Sequence, residues 1–244
     1  MQMNTFPLVL SESYLISPRV KHFVFSIESE QPFSYLPGQF ITVHFEHEGK
    51  VLKRSYSIAN PPGSKQIEFA AGYVEDGPGT RFLFNLNQGD RINVSGPFGR
   101  LVLKDDAPGR YILAATSTGI TPYRAMLPEL TRRLQQSPSL KVVVLLGVQS
   151  EADAIYSQEF IDFANACPQQ VEFRIQLSRP AGELAAPCQF KGYVQHSFSE
   201  LNLNPAEDLV YLCGNPGMID EAFESLKASG FAMQQIVREK YISR

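Results

Sequence analysis

The segment KDDAPGRYILAATSTGITP, residues 104–122, divides the sequence into two parts with different hydrophobic patterns. Its first six residues are a polar turn containing Pro108 and Gly109, and turns of this composition separate structural elements. The compact apolar run Tyr111–Ala115 comes next and predicts a buried strand. Small and hydroxyl-bearing residues then lead to Pro122, and proline is favoured in the first turn of a helix. We therefore predict a domain boundary here and place it between residues 106 and 107.

The residues before this boundary alternate apolar and polar side chains, which is typical of half-buried β-strands. In Val20–Ile27, for example, every second residue toward the end of the run is a large apolar one. Six or so such runs are separated by turn sequences such as Pro37-Gly38, without a clear repeat. The pattern predicts a closed or nearly closed antiparallel β-barrel over residues 1–106. A helical turn is predicted within it at Gly79–Leu86.

The residues after the boundary alternate compact apolar runs with amphipathic stretches. The apolar runs are Tyr111–Ala115, Val142–Leu146, Val171–Leu177 and Leu209–Cys213, and the helical stretches are Pro122–Gln135, Gln158–Ala166 and Pro216–Ala228. Alternating strands and helices predict an α/β domain, a doubly wound parallel sheet, over residues 107–244, with ligands at the carboxyl ends of its strands. A last strand is predicted at Ile236–Ile242.

The composition excludes several classes of protein. A net charge of −3 over 244 residues gives no general affinity for nucleic acid or anionic membranes. No apolar run is long enough to cross a bilayer, and the first residues lack the features of a secretory signal. Three cysteines cannot supply the four thiolates of an ordinary iron–sulfur cluster, and the histidines, expected on the protein surface, show no metal-ligand spacing. We expect a cytoplasmic protein without a metal, and a monomer.

Two short motifs in the predicted barrel suit an anionic and aromatic ligand. In Arg54-Ser55-Tyr56-Ser57, the guanidinium suits a pyrophosphate, the tyrosine ring suits an aromatic heterocycle, and Ser57 suits a hydrogen bond to a ring nitrogen. Gly79-Thr80 begins the helical turn, where backbone amides favour an anion. Taken alone, the first motif is equally compatible with an ordinary strand that carries a surface arginine.

Two loops of the second domain suit a dinucleotide. Thr116-Ser117-Thr118-Gly119 follows a strand and precedes the helix that begins near Pro122, which is the arrangement of a dinucleotide phosphate site. Cys213-Gly214 ends the last parallel strand of the doubly wound pattern, where ligands gather in such sheets. Taken alone, a cysteine at this place is more often a small buried apolar residue than a reactive thiol.

The motifs, in their order along nearly the whole chain, resemble those of the ferredoxin–NADP⁺ reductase family. The matching segments are Pro37-Gly38-Gln39-Phe40, Arg54–Asn60, Gly79-Thr80 and Gly96-Pro97-Phe98-Gly99. The resemblance implies FAD in the barrel domain, with Arg54 at the pyrophosphate, Tyr56 stacked on the isoalloxazine and Ser57 near its N5. Gly79 and Thr80 would contact the phosphates.

The resemblance also implies roles for residues of the second domain. The Cys213-Gly214 pair would lie beside the reactive carbon of the nicotinamide, and Glu239 and Tyr241 are candidates to lie over the exposed face of the flavin. Ser178-Arg179 resembles a pair that binds the 2′-phosphate, so NADP(H) is favoured over NAD(H). Gln149 stands where many relatives carry an arginine, which counts against NADP(H).

One position departs from the family pattern. The family usually has a glycine where Ser117 stands, and this serine restricts how closely a pyrophosphate approaches the loop.

The function implied by the resemblance is hydride transfer between NADPH and FAD, with single electrons passed to or from ferredoxin or flavodoxin. Docking of that partner is expected at Arg81, Arg91 or Arg100. Three alternatives stay open: an NAD(P)H:flavin reductase that releases its flavin, an NADH-dependent reductase component of a multicomponent oxygenase, and a flavoprotein that binds without turnover.

Overall fold

A computed structural model of the chain describes residues 5–28, 33–180 and 182–241. Its residues form two compact units. The first contains the chain up to Leu103 together with Thr121–Met126, and the second contains Lys104–Ile120 and the chain from Leu127 onward. Within the described ranges, no helix is both long enough and apolar enough to cross a bilayer.

The first unit is built around a six-stranded antiparallel sheet, as predicted. Its strands are β1 (Phe6–Ser17), β2 (Val20–Ile27), β3 (Phe40–His47), β4 (Lys50–Ser57), β5 (Gln66–Gly72) and β6 (Arg91–Phe98). They lie in the order β4-β3-β6-β1-β2-β5, and an isolated bridge between Ile58 and Phe69 joins the two ends of the sheet. A short helix, α1 (Pro78–Phe84), lies between β5 and β6 where a helical turn is predicted.

In the strand β2, the predicted burial is correct for two phenylalanines and wrong for one histidine. Phe23 and Phe25 are completely buried in the barrel core, as their alternation predicts. His22 is 1% exposed, so the expected position on the protein surface is wrong. The Tyr14 ring packs against the His22 ring, with the centroids 5.1 Å apart. Nε2 of His22 lies 3.3 Å from Oε2 of Glu68. The carboxylate of Glu68 on β5 gives this buried imidazole a polar partner, and the Tyr14 ring on β1 packs against it.

The second unit contains a six-stranded parallel sheet, which confirms the predicted α/β architecture. Its strands are β7 (Arg110–Thr116), β8 (Lys141–Val148), β9 (Val171–Leu177), β10 (Gln189–Lys191), β11 (Asp208–Gly214) and β12 (Ile236–Lys240), in the order β10-β9-β8-β7-β11-β12. The helices of this part of the chain are α2 (Thr121–Gln136), whose residues from Leu127 onward belong to this unit, α3 (Ser157–Ala166) and α4 (Pro216–Ala228). Residue Ile242, in the predicted last strand, lies outside the described residues.

The carboxyl ends of β7 to β9, β11 and β12 lie at one edge of this sheet, because all of its strand pairs are parallel. The helices that follow β7 and β11 each begin with a proline in the first turn. Asn215 caps α4, with its side-chain oxygen accepting from the backbone N–H of Gly217 at 2.8 Å and of Met218 at 3.2 Å. Helix N-termini therefore lie at this edge, at the place where a doubly wound sheet binds its ligands.

Candidate cofactor sites

In the first unit, β4 and the start of α1 bring together the predicted flavin residues. Arg54 and Tyr56 lie on one face of β4, and Ser55 on the other is exposed. A Cβ added to Gly79 would lie 2.8 Å from Cγ of Arg54 and 3.5 Å from Oη of Tyr56, so α1 begins in direct contact with both side chains. A guanidinium, a phenol ring and backbone amides meeting at a glycine fit a ligand that has both an anionic and an aromatic part.

The ring of Tyr56 is fixed by a second aromatic ring. It stacks on Phe69 with the centroids 4.9 Å apart and the planes at 20°. Burial raises the pKa of Tyr56 to about 12, while the nearby Arg54 charge opposes this shift. The phenol is therefore neutral at physiological pH, and its ring remains partly exposed beside Arg54.

Ser57 and Thr80 are less accessible than the sequence suggests. Ser57 ends β4 and is 4% exposed, whereas Ser55, two residues earlier on the strand, is exposed. The hydroxyl of Thr80 donates to the carbonyl of Val74 at 3.1 Å or that of Gly77 at 3.2 Å, and accepts from the N–H of Val74. This hydroxyl shapes the loop before α1, so any contact of Thr80 with a phosphate rests on its backbone amide.

In the second unit, the loop after β7 forms a tight turn before α2. Ser117 has a φ of +50°, in the left-handed region that favours glycine, which is a physical reason for the glycine that the family resemblance implies here. Thr118 is half-buried and Gly119 is buried. A Cβ on Gly119 would overlap the carbonyl of Cys213, so this loop packs directly against the end of β11.

Cys213 lies near the carboxyl end of β11, between β7 and β12, and is completely buried. It pairs in register with Ala115 on β7 and with Glu239 on β12. Burial, reinforced by the charge of Glu239, raises the pKa of the thiol well above its ordinary value. Cys213 therefore stays a neutral thiol and contributes shape rather than a nucleophile.

The residue after β12 also contacts this region. The backbone N–H of Tyr241 donates to the carbonyl of Gly214 at 2.8 Å, and the phenol interacts with the thiol of Cys213. The structure thus brings Cys213, Gly214, Glu239 and Tyr241 together at the ends of β11 and β12.

Ser178-Arg179 follows β9 and lies beside the loop after β8. The N–H of Ser178 donates to the carbonyl of Val148 at 3.0 Å, and the N–H of Arg179 donates to that of Gln149 at 2.8 Å. The Arg179 side chain is exposed, and the serine is half-buried. Ser178 and Arg179 therefore lie at the same edge of the sheet as the loop after β7, residues 116–119.

Two residues near this pair were missed by the sequence reasoning. Lys191, on β10, lies in register with Leu177 on β9, immediately before Ser178. Tyr193 follows two residues later with 57% of its surface exposed, and its ring makes a T-shaped contact with the His196 ring, with the centroids 5.6 Å apart. The signal was weak, because β10 has only three residues and no apolar run.

Two of the three arginines predicted to dock a partner are ion-paired. Arg81 lies 3.2 Å from Asp76, and Arg91 makes a two-pronged contact with Glu28 at 2.9 and 3.2 Å. Paired guanidiniums attract an acidic surface less strongly than free ones.

An antiparallel barrel with an Arg-x-Tyr-Ser strand, followed by a parallel sheet with glycine-containing loops at its carboxyl edge, defines a two-domain oxidoreductase that uses a flavin and a nicotinamide dinucleotide. The family model for the oxidoreductase FAD-binding domain matches residues 7–103, and that for the oxidoreductase NAD-binding domain matches residues 113–223. The ferredoxin–NADP reductase of Azotobacter vinelandii is 30% identical over 208 residues, which cover 79% of this chain and 78% of that protein. The chain belongs to the ferredoxin–NADP reductase family.

Other relatives extend the comparison. Ferredoxin–NADP reductase B of Sorangium cellulosum is 28% identical over 93% of both chains. The reductase component of phenol 2-monooxygenase from Pseudomonas sp. strain CF600 is 26% identical over 96% of this chain and 64% of its own. The crystal structure of a ferredoxin NADP⁺ reductase from Neisseria gonorrhoeae with bound FAD and NADP covers 97% of this chain and 98% of its own, with a TM-score of 0.82 and 21% identity, and supports the fold.

Proposed function

We propose that this oxidoreductase prefers NADPH and exchanges single electrons with a ferredoxin or a flavodoxin. The observation that carries the nucleotide preference is the grouping of Ser178, Arg179 and Lys191 at neighbouring strand ends. A hydroxyl and two cations on adjacent strands, which are about 5 Å apart, suit a phosphate monoester. NADPH differs from NADH by such a group, and the exposed ring of Tyr193 offers a stacking surface for the adjoining adenine.

In the first unit, Arg54 would bind the pyrophosphate of FAD, and the ring of Tyr56 would stack on the isoalloxazine. Ser57 would donate to N5, and the backbone amides of Gly79 and Thr80 would contact phosphate oxygens. The bound flavin supplies the conversion between transfer of a hydride and transfer of single electrons. Arg54 and Tyr56 are already held by β4 and α1, so binding requires little further ordering of these side chains.

In the second unit, the residues at the carboxyl edge of the sheet would bind the dinucleotide. Thr118 and Gly119 would form the pyrophosphate loop that follows β7. The neutral thiol of Cys213 and the small Gly214 would leave a flat, uncharged surface for the nicotinamide. Glu239 and Tyr241, which adjoin them, would limit access to this surface.

The proposed partner is favoured over an oxygenase by the relatives named ferredoxin–NADP reductase, which match at similar or higher identity and along most of their own lengths. An oxygenase reductase that uses NADH is a second candidate, because Gln149 stands beside Arg179 and an oxygenase component is also a relative. The free cysteines Cys167, Cys188 and Cys213 fit a reducing compartment, and we propose a cytoplasmic location.

Anaerobic reduction by NADPH and by NADH, followed at the flavin absorption band, tests the preference. We expect rapid bleaching by NADPH and much slower bleaching by NADH. Arg179→Ala and Lys191→Ala should each raise the NADPH concentration for half-maximal rate about tenfold or more, because a charge-assisted hydrogen bond contributes about 1.5–3 kcal/mol. The same variants should leave the NADH value within about twofold.

Lys227→Ala is a matched control, since this lysine lies on α4 and pairs with Glu224. It should leave both nucleotides unaffected. A wild-type protein that prefers NADH, or Arg179 and Lys191 variants that change both nucleotides equally, would move the function to the oxygenase alternative. A preparation that loses its flavin on gel filtration and then reduces added flavin would support the released-flavin alternative.

A further inference from the structure

The hydroxyl of Thr116 joins two loops at the dinucleotide edge of the second unit. Thr116 is the last residue of β7, and its Oγ1 accepts a hydrogen bond from the backbone N–H of Asn215 at 2.8 Å. Asn215 follows β11, the strand next to β7 in the sheet. A side chain at the end of one strand therefore holds the backbone at the end of its neighbour.

Two glycines, Gly119 and Gly214, allow the loop after β7 and the turn after β11 to pack closely together. A Cβ on Gly214 would overlap Oγ1 of Thr116 and lie 2.7 Å from its carbonyl oxygen, and Gly214 has a φ of +119° that favours glycine. A Cβ on Gly119 would overlap the Cys213 carbonyl. The dinucleotide loop and the Cys213-Gly214 turn are thus in contact along their length, and Thr116 Oγ1 provides a directional hydrogen bond within that contact.

Asn215 is hydrogen-bonded both to Thr116 and to the first turn of α4. Its side chain accepts from the backbone N–H of Gly217 and of Met218 and so serves the helix, while its own N–H is committed to Thr116. The two interactions use different atoms of one residue. Loss of the Thr116 hydroxyl would therefore free the turn after Cys213 without removing the cap of α4.

The sequence predicts that Thr116 belongs to the dinucleotide phosphate site; we propose instead that it is a positioning residue, which orients the nicotinamide end of the dinucleotide without contacting the dinucleotide itself. Its hydroxyl fixes the Cys213-Gly214 turn relative to the loop at Thr118-Gly119, and the geometry of this turn sets the approach of the nicotinamide. Small displacements of a positioned group reduce rates strongly while changing affinity little. The inference rests on dinucleotide binding by this edge and is independent of the preference for NADPH or NADH.

Thr116→Val and Thr116→Ser test this role in the flavin-loaded protein. Valine keeps the shape and removes the acceptor, whereas serine keeps the acceptor. We expect Thr116→Val to slow anaerobic flavin bleaching at saturating dinucleotide about threefold to tenfold, the value of one lost hydrogen bond. The dissociation constant of the oxidised dinucleotide, measured by calorimetry, should stay within about twofold, and Thr116→Ser should restore the rate to within about twofold.

A second readout does not depend on turnover. Exchange of the Asn215 amide hydrogen, measured without dinucleotide, should be about tenfold faster in Thr116→Val than in the wild type or in Thr116→Ser, because the amide loses its acceptor. Thr131→Val is the matched control, since the hydroxyl of Thr131 donates within α2 to the carbonyl of Leu127 at 2.9 Å. It should alter neither the rate nor the Asn215 exchange.

Three results would overturn the proposal. An unchanged rate in Thr116→Val would show that the hydrogen bond does not position the turn, and an equal loss in Thr116→Ser would show that the methyl group matters instead. A weaker dinucleotide affinity at an unchanged rate would assign Thr116 as a direct ligand. If the valine variant does not fold, Thr116→Ala removes the same acceptor with less bulk and is held to the same outcomes. Wild-type protein that is not reduced by either nucleotide would instead refute the reductase assignment.

Discussion

At the scale of single residues, buried hydroxyl groups differ in whether they have a hydrogen-bond partner. The hydroxyl of Thr121, at the start of α2, is 2% exposed and makes no hydrogen bond among the described residues. Leaving a buried donor without a partner costs about 1–3 kcal/mol. The Thr121 hydroxyl therefore lowers the stability of the fold. The hydroxyls of Thr116 and Thr80, in contrast, have backbone hydrogen-bond partners.

Replacing Thr121 by valine should therefore stabilise the protein. The change removes the unpaired hydroxyl and keeps the shape, so we expect an increase of about 1 kcal/mol in the free energy of unfolding, measured by urea denaturation of the flavin-loaded protein. Thr121→Ser keeps the hydroxyl and removes a methyl group, and it should lower stability instead. A valine variant less stable than the wild type would mean that the hydroxyl has a partner in solution.

Sequence reasoning at this scale found residues whose chemistry is distinctive and missed those whose environment decides their role. Arg54 and Tyr56 were recognisable because their side chains suit particular ligand groups and their spacing puts them on one face of a strand. Burial of His22 was not, because it depends on Tyr14 and Glu68 from neighbouring strands. The same holds for Lys191, which is brought beside Ser178 by strand pairing alone.

At the scale of elements, side-chain hydrogen bonds join α2 to the segment before β7 and to β7 itself. Glu129 accepts from Arg132 at 2.7 and 2.8 Å and from Arg133 at 2.7 Å. Arg133 in turn donates to the phenol of Tyr111 at 2.6 Å and to the carbonyl of Lys104 at 2.5 Å. The carboxylate therefore orients an arginine that ties residues 104 and 111 to the helix.

This arrangement predicts a pH-dependent contribution of Glu129 to stability. The hydrogen bonds from Arg132 lead the causes that lower the pKa of Glu129 to about 2, from an ordinary value of 4.5. A carboxyl whose pKa is lowered by folding stabilises the protein fully above pH 4.5, and that contribution is lost as the pH falls toward about 2.

The variant Glu129→Gln tests the direction of this effect. It should be about 1 kcal/mol less stable than the wild type near neutral pH, the value of a partly exposed ion-pair network, and the difference should shrink on acidification. Urea midpoints of both proteins across the acidic range measure this. Glu224→Gln, which breaks an exposed pair with Lys227 at 3.6 Å, is the control and should have little effect at any pH. A difference that grows on acidification would contradict the assignment.

The length and apolarity of an element decided how well it could be predicted. The strand β9 and the helix α4 match their predicted bounds, because each is a continuous pattern ended by turn-forming residues. The strand β10 was missed, since three half-exposed residues carry no periodic signal and the strand exists only by pairing with β9. Local pattern thus sufficed for long elements, whereas short ones depend on their neighbours.

At the scale of the whole molecule, the sequence predicted two units of the correct type because their hydrophobic patterns differ. The predicted boundary between residues 106 and 107 stays a prediction. Assignment of Thr121–Met126 to the first compact unit was not predictable, because α2 is one continuous pattern in the sequence. The residues proposed to bind the flavin from β4 and α1, in contrast, all lie within the first unit.

Removal of FAD should lower the stability of the intact chain, and Arg54 should govern much of that difference. A ligand at a hundredfold excess over its dissociation constant stabilises the folded state by about 2.7 kcal/mol, or roughly 5–10 °C in the unfolding midpoint for a chain of this size. Arg54→Ala removes the cation that suits the pyrophosphate, so the rise on adding FAD should shrink by at least half while the flavin-free midpoint changes little. Arg91→Ala is the matched control, because this exposed arginine of the same unit pairs with Glu28 and should keep the full rise. A rise that is equal in Arg54→Ala and in the wild type would place the flavin pyrophosphate elsewhere. A fall in the flavin-free midpoint that matches the whole loss would instead assign Arg54 to the fold of the barrel.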